Sequence, residues 1–252
     1  MFSHAITRIP GPDYPQGLTT STLPAPNLDL ALAQHDAYVR CLESLGLTVE
    51  VLPAAQGFPD ACFVEDTAVV VREIAIVSRP GAPSRLGEAE SMVAPLSAHR
   101  PLARIEAPGT LDGGDILQVD KRFFIGVSDR TNDVGARQLA AILAEHGYQS
   151  EIMHVAAGLH LKSSLNYVDK NTMLVTADFA GHPAIEGFGQ IVCPKGEEYA
   201  ANTLLVNGAL IMPAGYPLTR MLLEPLGLPI VELDTSEYRK MDGGLTCLSL
   251  RL

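Results

Sequence analysis

Positive charge is scarce in this chain of 252 residues: 18 Lys and Arg stand against 29 Asp and Glu, a formal net charge of -11. Nucleic-acid affinity depends on a concentrated cationic surface that releases counterions, so the charge argues against a phosphate-backbone partner and small cations are better matched. Cysteine is equally sparse. Cys41, Cys62, Cys193 and Cys247 are the four present, and no two form a CxxC pair, which rules out a zinc knuckle and a thioredoxin-type motif. No apolar run approaches the ~20 residues needed to span a bilayer. The segment Met1 to Tyr14 carries His4, Arg8, Asp13 and two prolines and lacks the apolar stretch of a secretory signal, so a cytoplasmic location with reduced thiols is expected. Neither the GxGxxG spacing of a dinucleotide site nor the terminal lysine of a phosphate loop occurs.

What the chain has is apolar content, at 47%, with 22 Gly and 18 Pro, the profile of a turn-rich globular protein. Four segments share one format, two short apolar runs around a polar turn, which reads as a β-hairpin. They are 64–78 with turn Arg72-Glu73, 115–127 with Asp120-Lys121, 163–176 with Asp169-Lys170, and 202–212 with Asn207-Gly208. A fifth forms if the terminal run 245–250 pairs with residues 5–9, closing a ring with no exposed edge strand. Between the hairpins, 28–45 reads as a helix with Leu30, Tyr38, Leu42 and Leu45 on one face. A second helix, 131–146, is capped by Thr131 or Asn132; weaker helical stretches are 88–98, 217–226 and 235–240. The recurrence of hairpin, helix and strand predicts an α/β repeat architecture spanning 1–252 as a single domain, against an ordinary α/β sheet with hairpins.

Three motifs carry chemistry. Asp112-Gly113-Gly114-Asp115 brings two carboxylates around a tight glycine turn just before an apolar run. Gly158-Leu159-His160-Leu161-Lys162-Ser163 sets a histidine at the mouth of the third hairpin, and Asp242-Gly243-Gly244-Leu245-Thr246-Cys247 repeats the acid-Gly-Gly format and ends in a cysteine. Each motif leads into a different repeat, so a ring of repeats would aim all three side chains at one central cavity.

That constellation resembles the dimethylarginine dimethylaminohydrolase family, among the guanidine-modifying enzymes that include arginine deiminases and amidinotransferases. The resemblance runs along the chain through Gly17-Leu18-Thr19-Thr20, Asp60-Ala61-Cys62-Phe63-Val64-Glu65-Asp66, Leu111 to Leu117, Ser128 to Asn132, His160 to Ser163 and Asp242 to Ser249. It implies a five-bladed α/β propeller of ββαβ modules (the pentein fold) with the active site in its channel. By the same resemblance Cys247 is the nucleophile, His160 the general acid and base, and Asp112 the residue that orients His160. Asp66 and Asp242, with Glu65 nearby, would meet the substrate's guanidinium. Arg85 and Arg130 would grip its α-carboxylate, Asp60 and the carbonyl of Leu18 its α-amino group, and Phe63 and Met241 complete the substrate-binding set. Residues 15–22, hinged at Gly17, would close as a lid.

These roles suit the chemistry. A guanidinium carbon is a poor electrophile, and a thiolate is the soft nucleophile that can add to it. The expected reaction is hydrolysis of Nω-methylated arginine to citrulline and an amine through a covalent thiouronium. An arginine deiminase is the alternative, but deiminases carry His-Leu-Asp where this chain reads His160-Leu161-Lys162, and the missing carboxylate leaves room for methyl groups. A non-catalytic binding propeller, the remaining alternative, does not keep the triad. No cofactor or metal is expected, although a thiol beside a histidine can capture zinc adventitiously. The expected partner is a small-molecule substrate, with neither nucleic acid nor membrane, and the chain acts as a monomer or homodimer.

Overall fold

The computed structural model describes residues 1–155 and 159–252, so Gly158 of the histidine motif lies outside the described residues. Fifteen strands form five separate three-stranded sheets. In each, an antiparallel hairpin is followed, after a crossover, by a third strand parallel to the middle one. The first four sheets are β3(Ala68–Val70), β4(Ala75–Val77), β5(Leu102–Arg104); β6(Ile116–Val119), β7(Arg122–Val127), β8(Gln149–His154); β9(Leu165–Tyr167), β10(Thr172–Val175), β11(Gly189–Val192); and β12(Leu204–Val206), β13(Ala209–Pro213), β14(Ile230–Leu233). The fifth joins both ends of the chain. β1(His4–Arg8) pairs antiparallel with β15(Leu250–Arg251), Ala5 opposite Arg251 and Ile6 opposite Leu250, and parallel with β2(Thr48–Leu52).

All four predicted hairpins form, and their turns use left-handed backbone where the sequence offers Asp or Asn: Asp120, Asp169 and Asn207 have φ of 52°, 82° and 48°. The terminal strand is shorter than expected because Thr246–Leu248 winds into a 3-10 turn before β15. The ring does not abolish sheet edges. Middle strands such as β4 and β13 are wholly buried, whereas the outer strands β2, β5, β11 and β14 are largely half-buried or exposed. The five-bladed arrangement therefore buries the inner and middle strands and leaves one outer strand per blade at the rim.

Helix α1(Leu28–Ser44) begins where Asn27 Oδ1 accepts the backbone N–H of Leu30 and buries Ala31, His35, Tyr38 and Leu42, four positions at helical spacing. Leu30 falls one residue off that stripe and is exposed. Asn132 caps α4(Asp133–Glu145), which buries Leu139 and Leu143. The 88–98 stretch divides into α2(Leu86–Glu90) and α3(Val93–Ser97), while α5(Pro217–Leu223) and α6(Ser236–Arg239) match the remaining expectations. The blade of β9 to β11 departs from the repeat, since its crossover holds only the 3-10 turn Pro183–Ile185. Five apolar clusters fill the spaces among sheets and helices; the one under α1 brings Leu204, Val206 and Ile211 against Leu245 and Leu248, joining the fourth blade to the fifth. Burying one such side chain stabilises by about 1.5–3 kcal/mol. Among the described residues no helix is long and apolar enough to cross a membrane.

A 3-10 turn leads into the first strand of every blade: Val64–Thr67, Gly113–Asp115, Leu161–Ser163, Glu198–Ala201 and Thr246–Leu248. Four of the steps around this inner ring are direct turn-to-turn contacts. Side chains borne at these turns are thereby brought to the ring's centre, whatever their separation in sequence.

Candidate active site

Each inner turn delivers a polar or nucleophilic group. Asp66 lies within the first turn, Asp112 and His160 immediately precede the second and third, Asn202 follows the fourth, and Cys247 lies in the fifth. Asp66, Asp112, His160 and Cys247 all line one cavity of about 140 Å³. The three side chains expected to form the catalytic set therefore meet there.

His160 is buried, and its Nε2 lies 3.1 Å from Asp112 Oδ2. Asp112 is fixed in turn through Oδ1, which accepts the backbone N–H of Gly81 at 2.9 Å. The histidine-bearing turn is held from the second blade as well. Asp115 accepts the N–H of Leu161 at 2.9 Å and the hydroxyls of Ser128 and Thr131 at 2.6 and 2.7 Å. Burial disfavours the imidazolium, but the carboxylates of Asp66, Asp112 and Asp115 overcome that and hold its pKa up at about 9. Burial likewise opposes the Asp66 carboxylate, yet His160 and Arg85 hold it down at about 2.

Cys247 is partly buried. Burial, followed by the nearby Glu65 and Asp66 carboxylates, pushes its thiol up to about 12, with the Gly244 backbone and Lys162 pulling weakly the other way. At neutral pH the site thus pairs a neutral thiol with a charged imidazolium.

Close approach explains the glycines of both acid-Gly-Gly motifs. A Cβ on Gly114 would lie 2.6 Å from Nδ1 of His160, and one on Gly244 would lie 2.5 Å from Oδ1 of Asn202. The first would displace the His160 ring; the second would displace a side chain that ties two turns together. Gly17 has the same cause. Its backbone is not left-handed, and a Cβ there would meet Asp60 Oδ1 at 2.4 Å, so packing against Asp60 accounts for the glycine.

Leu18, Asp60, Phe63, Arg85, Arg130, Met241 and Asp242 also line the cavity. Residues of the 15–22 segment reach over it: the Leu18 N–H donates to both oxygens of Asp60 at 3.0 and 3.2 Å, and Thr20 donates through N and Oγ1 to Asp242 Oδ2. Among the described residues Oδ1 of Asp242 has no hydrogen-bond partner. Arg130 is half-buried, and among the described residues its guanidinium has no hydrogen-bond or ion-pair partner. Arg85, in contrast, is buried and engaged, donating to Asp66 at 2.6 Å and to Glu88 at 2.8 and 2.9 Å.

Glu65 departs from the expectation. It does not line the cavity; it turns to the opposite side, where Lys162 Nζ donates to its Oε1 at 2.6 Å, Thr246 Oγ1 to its Oε2 at 2.8 Å, and Arg251 lies 3.3 Å away. Glu65, Lys162 and Thr246 instead line a second cavity of about 790 Å³, which shares no lining residue with the first. The alternation of neighbours within a turn causes this: Asp66 and Cys247 face one cavity, Glu65 and Thr246 the other.

Sequence reasoning did not single out Asp115, Asn202, Glu88, Thr19 and Thr20 as site residues. Asp115 carried a signal as the second acid of its motif, and Thr19 and Thr20 as part of the segment expected to close as a lid; Asn202 and Glu88 carried none as site residues. Asp66, Asp112 and His160 place one potential ligand atom each within 4.8 Å of one another. The hydrogen bonds of His160 to Asp112, and of Asp66 to Arg85 and Gly114, already account for that closeness.

The arginine deiminase family model matches residues 63–188. A Pseudomonas aeruginosa protein named N(G),N(G)-dimethylarginine dimethylaminohydrolase is 45% identical over all of both chains, and a Streptomyces coelicolor protein of that name is 38% identical over 98% of this chain and 96% of its own. A solved structure of the Pseudomonas aeruginosa enzyme, a cysteine-to-serine variant complexed with citrulline, matches with a TM-score of 0.98 and 44% identity over all of both chains. The N-terminal domain of ArgZ, a cyanobacterial arginine dihydrolase, shares the fold at 17% identity, with a TM-score of 0.87 over 98% of this chain and 97% of that one. Through its identity to the first two along its whole length, the chain belongs to the dimethylarginine dimethylaminohydrolase family.

Proposed function

We propose that this protein hydrolyses Nω-methylated arginine, asymmetric dimethylarginine and monomethylarginine, to citrulline and dimethylamine or methylamine, with Cys247 as nucleophile. The observation that carries the proposal is the convergence of Cys247, His160, Asp112, Asp66 and Asp242 on one cavity. Carboxylates there provide paired, charge-assisted contacts for a planar cation.

The protonation states dictate the order of events. As the substrate cation docks beside Asp66 and Asp242, it offsets the negative field that kept the thiol neutral, and the thiol proton leaves to solvent. The thiolate adds to the guanidinium carbon, forming a C–S bond. His160, already an imidazolium, donates its proton to the methylated nitrogen, the C–N bond breaks and the amine departs. A thiouronium on Cys247 remains. The now neutral His160 takes a proton from water, the hydroxide adds to the same carbon, and the C–S bond breaks as the new hydroxyl gives up its proton to the departing sulfur, restoring the neutral thiol and releasing the ureido product. Asp112 stabilises the charged form of His160 and fixes its ring.

Selectivity for methylated nitrogen is supported by Lys162, whose side chain is directed to Glu65, so this turn puts no carboxylate opposite the leaving nitrogen. A buried carboxylate facing a methylated nitrogen would lose a hydrogen bond. Residues 1–252 act as one catalytic unit in this reading, supported by the sheet that joins both termini. The acidic balance of the chain supports a small cationic substrate in place of nucleic acid. Parallel incubation with asymmetric dimethylarginine, monomethylarginine and arginine, assaying citrulline, tests the proposal. Fastest turnover of a methylated substrate supports it, and faster turnover of arginine replaces it with a deiminase.

A further inference from the structure

Arg85 is gripped along one edge by a residue outside the cavity. Its Nε and Nη2 both donate to Oε2 of Glu88, at 2.9 and 2.8 Å, and Nη2 also reaches the carbonyl oxygens of Phe63 and Asp60 at 3.2 and 3.3 Å. Nη1 donates one hydrogen to Asp66 Oδ2, and its second has no acceptor among the described residues. Arg85 lines the cavity; Glu88, on α2 and 1% exposed, stands behind it.

The charges around this guanidinium do not balance. A guanidinium between two ionised carboxylates, with Asp60 adjacent, keeps no positive charge for an incoming carboxylate. The imbalance has a visible outlet: Oε1 of Glu88 is buried and, among the described residues, has no hydrogen-bond partner. A bare, charged carboxylate oxygen in that position is costly, and a proton on it lowers the cost by removing the buried charge while Oε2 still accepts from Arg85.

We infer that Glu88 is a positioning residue for recognition of the substrate's α-carboxylate, holding the Nε and Nη2 edge of Arg85 so that the Nη1 edge serves the cavity. The inference rests on the reading that Arg85 receives that carboxylate. Charge follows from the same geometry. The charged and titratable groups around Glu88 are Arg85, Asp60 and Asp66, with Arg8 from β1 and Cys62 close by. Burial pushes the Glu88 carboxyl up to about 7, Arg85 pulls it down, and Asp60 and Asp66 add to the rise. Below that pH Glu88 is neutral and Arg85 is offset by Asp66 alone; above it Glu88 ionises and leaves the cluster net negative, which opposes an incoming carboxylate.

Steady-state kinetics with asymmetric dimethylarginine, from about pH 6 to about pH 8.5, test this in the wild type, Glu88→Ala, Glu88→Gln and Arg85→Lys. The wild-type KM is expected to climb as pH passes upward through about 7, and Glu88→Gln, unable to ionise, to show a flat KM. Glu88→Ala, at the acid end, is expected to raise KM about tenfold with kcat within about twofold, the equivalent of losing one charge-assisted contact. A purely structural role would not remove the pH dependence of KM. If Arg85→Lys raises KM but Glu88→Gln keeps the wild-type slope, the inference is wrong and the reading of Arg85 stands. A wild-type KM in Arg85→Lys overturns that reading and the inference with it. Should Glu88→Ala fail to fold, the slope of Glu88→Gln still decides.

Discussion

Asn202 binds the turn that carries Cys247 to the turn that carries His160. Its Oδ1 accepts the backbone N–H of Thr246 at 3.0 Å, while Nδ2 donates to Thr246 Oγ1 and to the carbonyl oxygen of Lys162, each at 3.1 Å. The residue touches neither reacting group, yet it sets the distance between the turns that present them. Replacing it with alanine is expected to lower kcat by about tenfold to a hundredfold, because small misplacements of reacting groups are costly, while KM stays within about twofold. Removing its bonds is also expected to cost about 1–3 kcal/mol of stability, read by urea denaturation. A folded variant with wild-type kcat would show that the link has no catalytic consequence.

The thiol of the free enzyme is expected to stay neutral across physiological pH, because burial, Glu65 and Asp66 push it up to about 12. Ultraviolet thiolate absorbance should show no titration of Cys247 below about pH 9 in the wild type, measured against Cys247→Ser. Adding a cationic substrate analogue should bring the titration down. A thiolate already present at neutral pH without ligand would contradict the charge argument.

His160 should behave in the opposite sense. Its folded pKa is raised from the ordinary 6.5 to about 9, so its contribution to stability is fully present below about pH 6.5 and is lost as pH rises through about 9. NMR titration of the ring should find it protonated at pH 7. Asp112→Asn, which leaves a neutral partner at 3.1 Å, should lower that pKa and reduce kcat by about a hundredfold or more.

Gly114→Ala tests the close approach at the ring. Its Cβ would lie 2.6 Å from His160 Nδ1 and 3.0 Å from Asp66 Oδ1, and neither neighbour can retreat without breaking its own hydrogen bonds. A loss of about 1–3 kcal/mol is expected in denaturant unfolding, accompanied by loss of at least about a hundredfold in kcat. Wild-type activity would mean that the ring relaxes freely.

Much of this was legible in the sequence because it is locally encoded. Hairpins announce themselves by polar turns between apolar runs, and the Asp-Gly-Gly turns stood out before two of the first strands. The convergence of Cys247, His160 and Asp112 was readable from their place at the entry to different repeats, and their roles from the family resemblance. What was not legible depends on which way a side chain turns from a shared backbone. Glu65 and Asp66 are adjacent carboxylates, and nothing in their order says that one meets Lys162 while the other meets Arg85. Asn202 and Glu88 act through partners about 40 residues and three residues away, and only the folded ring makes the first of those pairs neighbours. The Leu30 face was misjudged by one position, since two adjacent residues of a helix point about 100° apart.

The central claim is that sulfur of Cys247 bonds to the guanidinium carbon of methylarginine during turnover. Acid-quenching the enzyme with asymmetric dimethylarginine and mapping its peptides by mass spectrometry tests this directly. The expected result is an adduct on the Cys247 peptide with the mass of the substrate less dimethylamine, disappearing once substrate is consumed and absent in Cys247→Ser. Citrulline formation by Cys247→Ala at the wild-type rate, with no adduct at any time, would contradict the account.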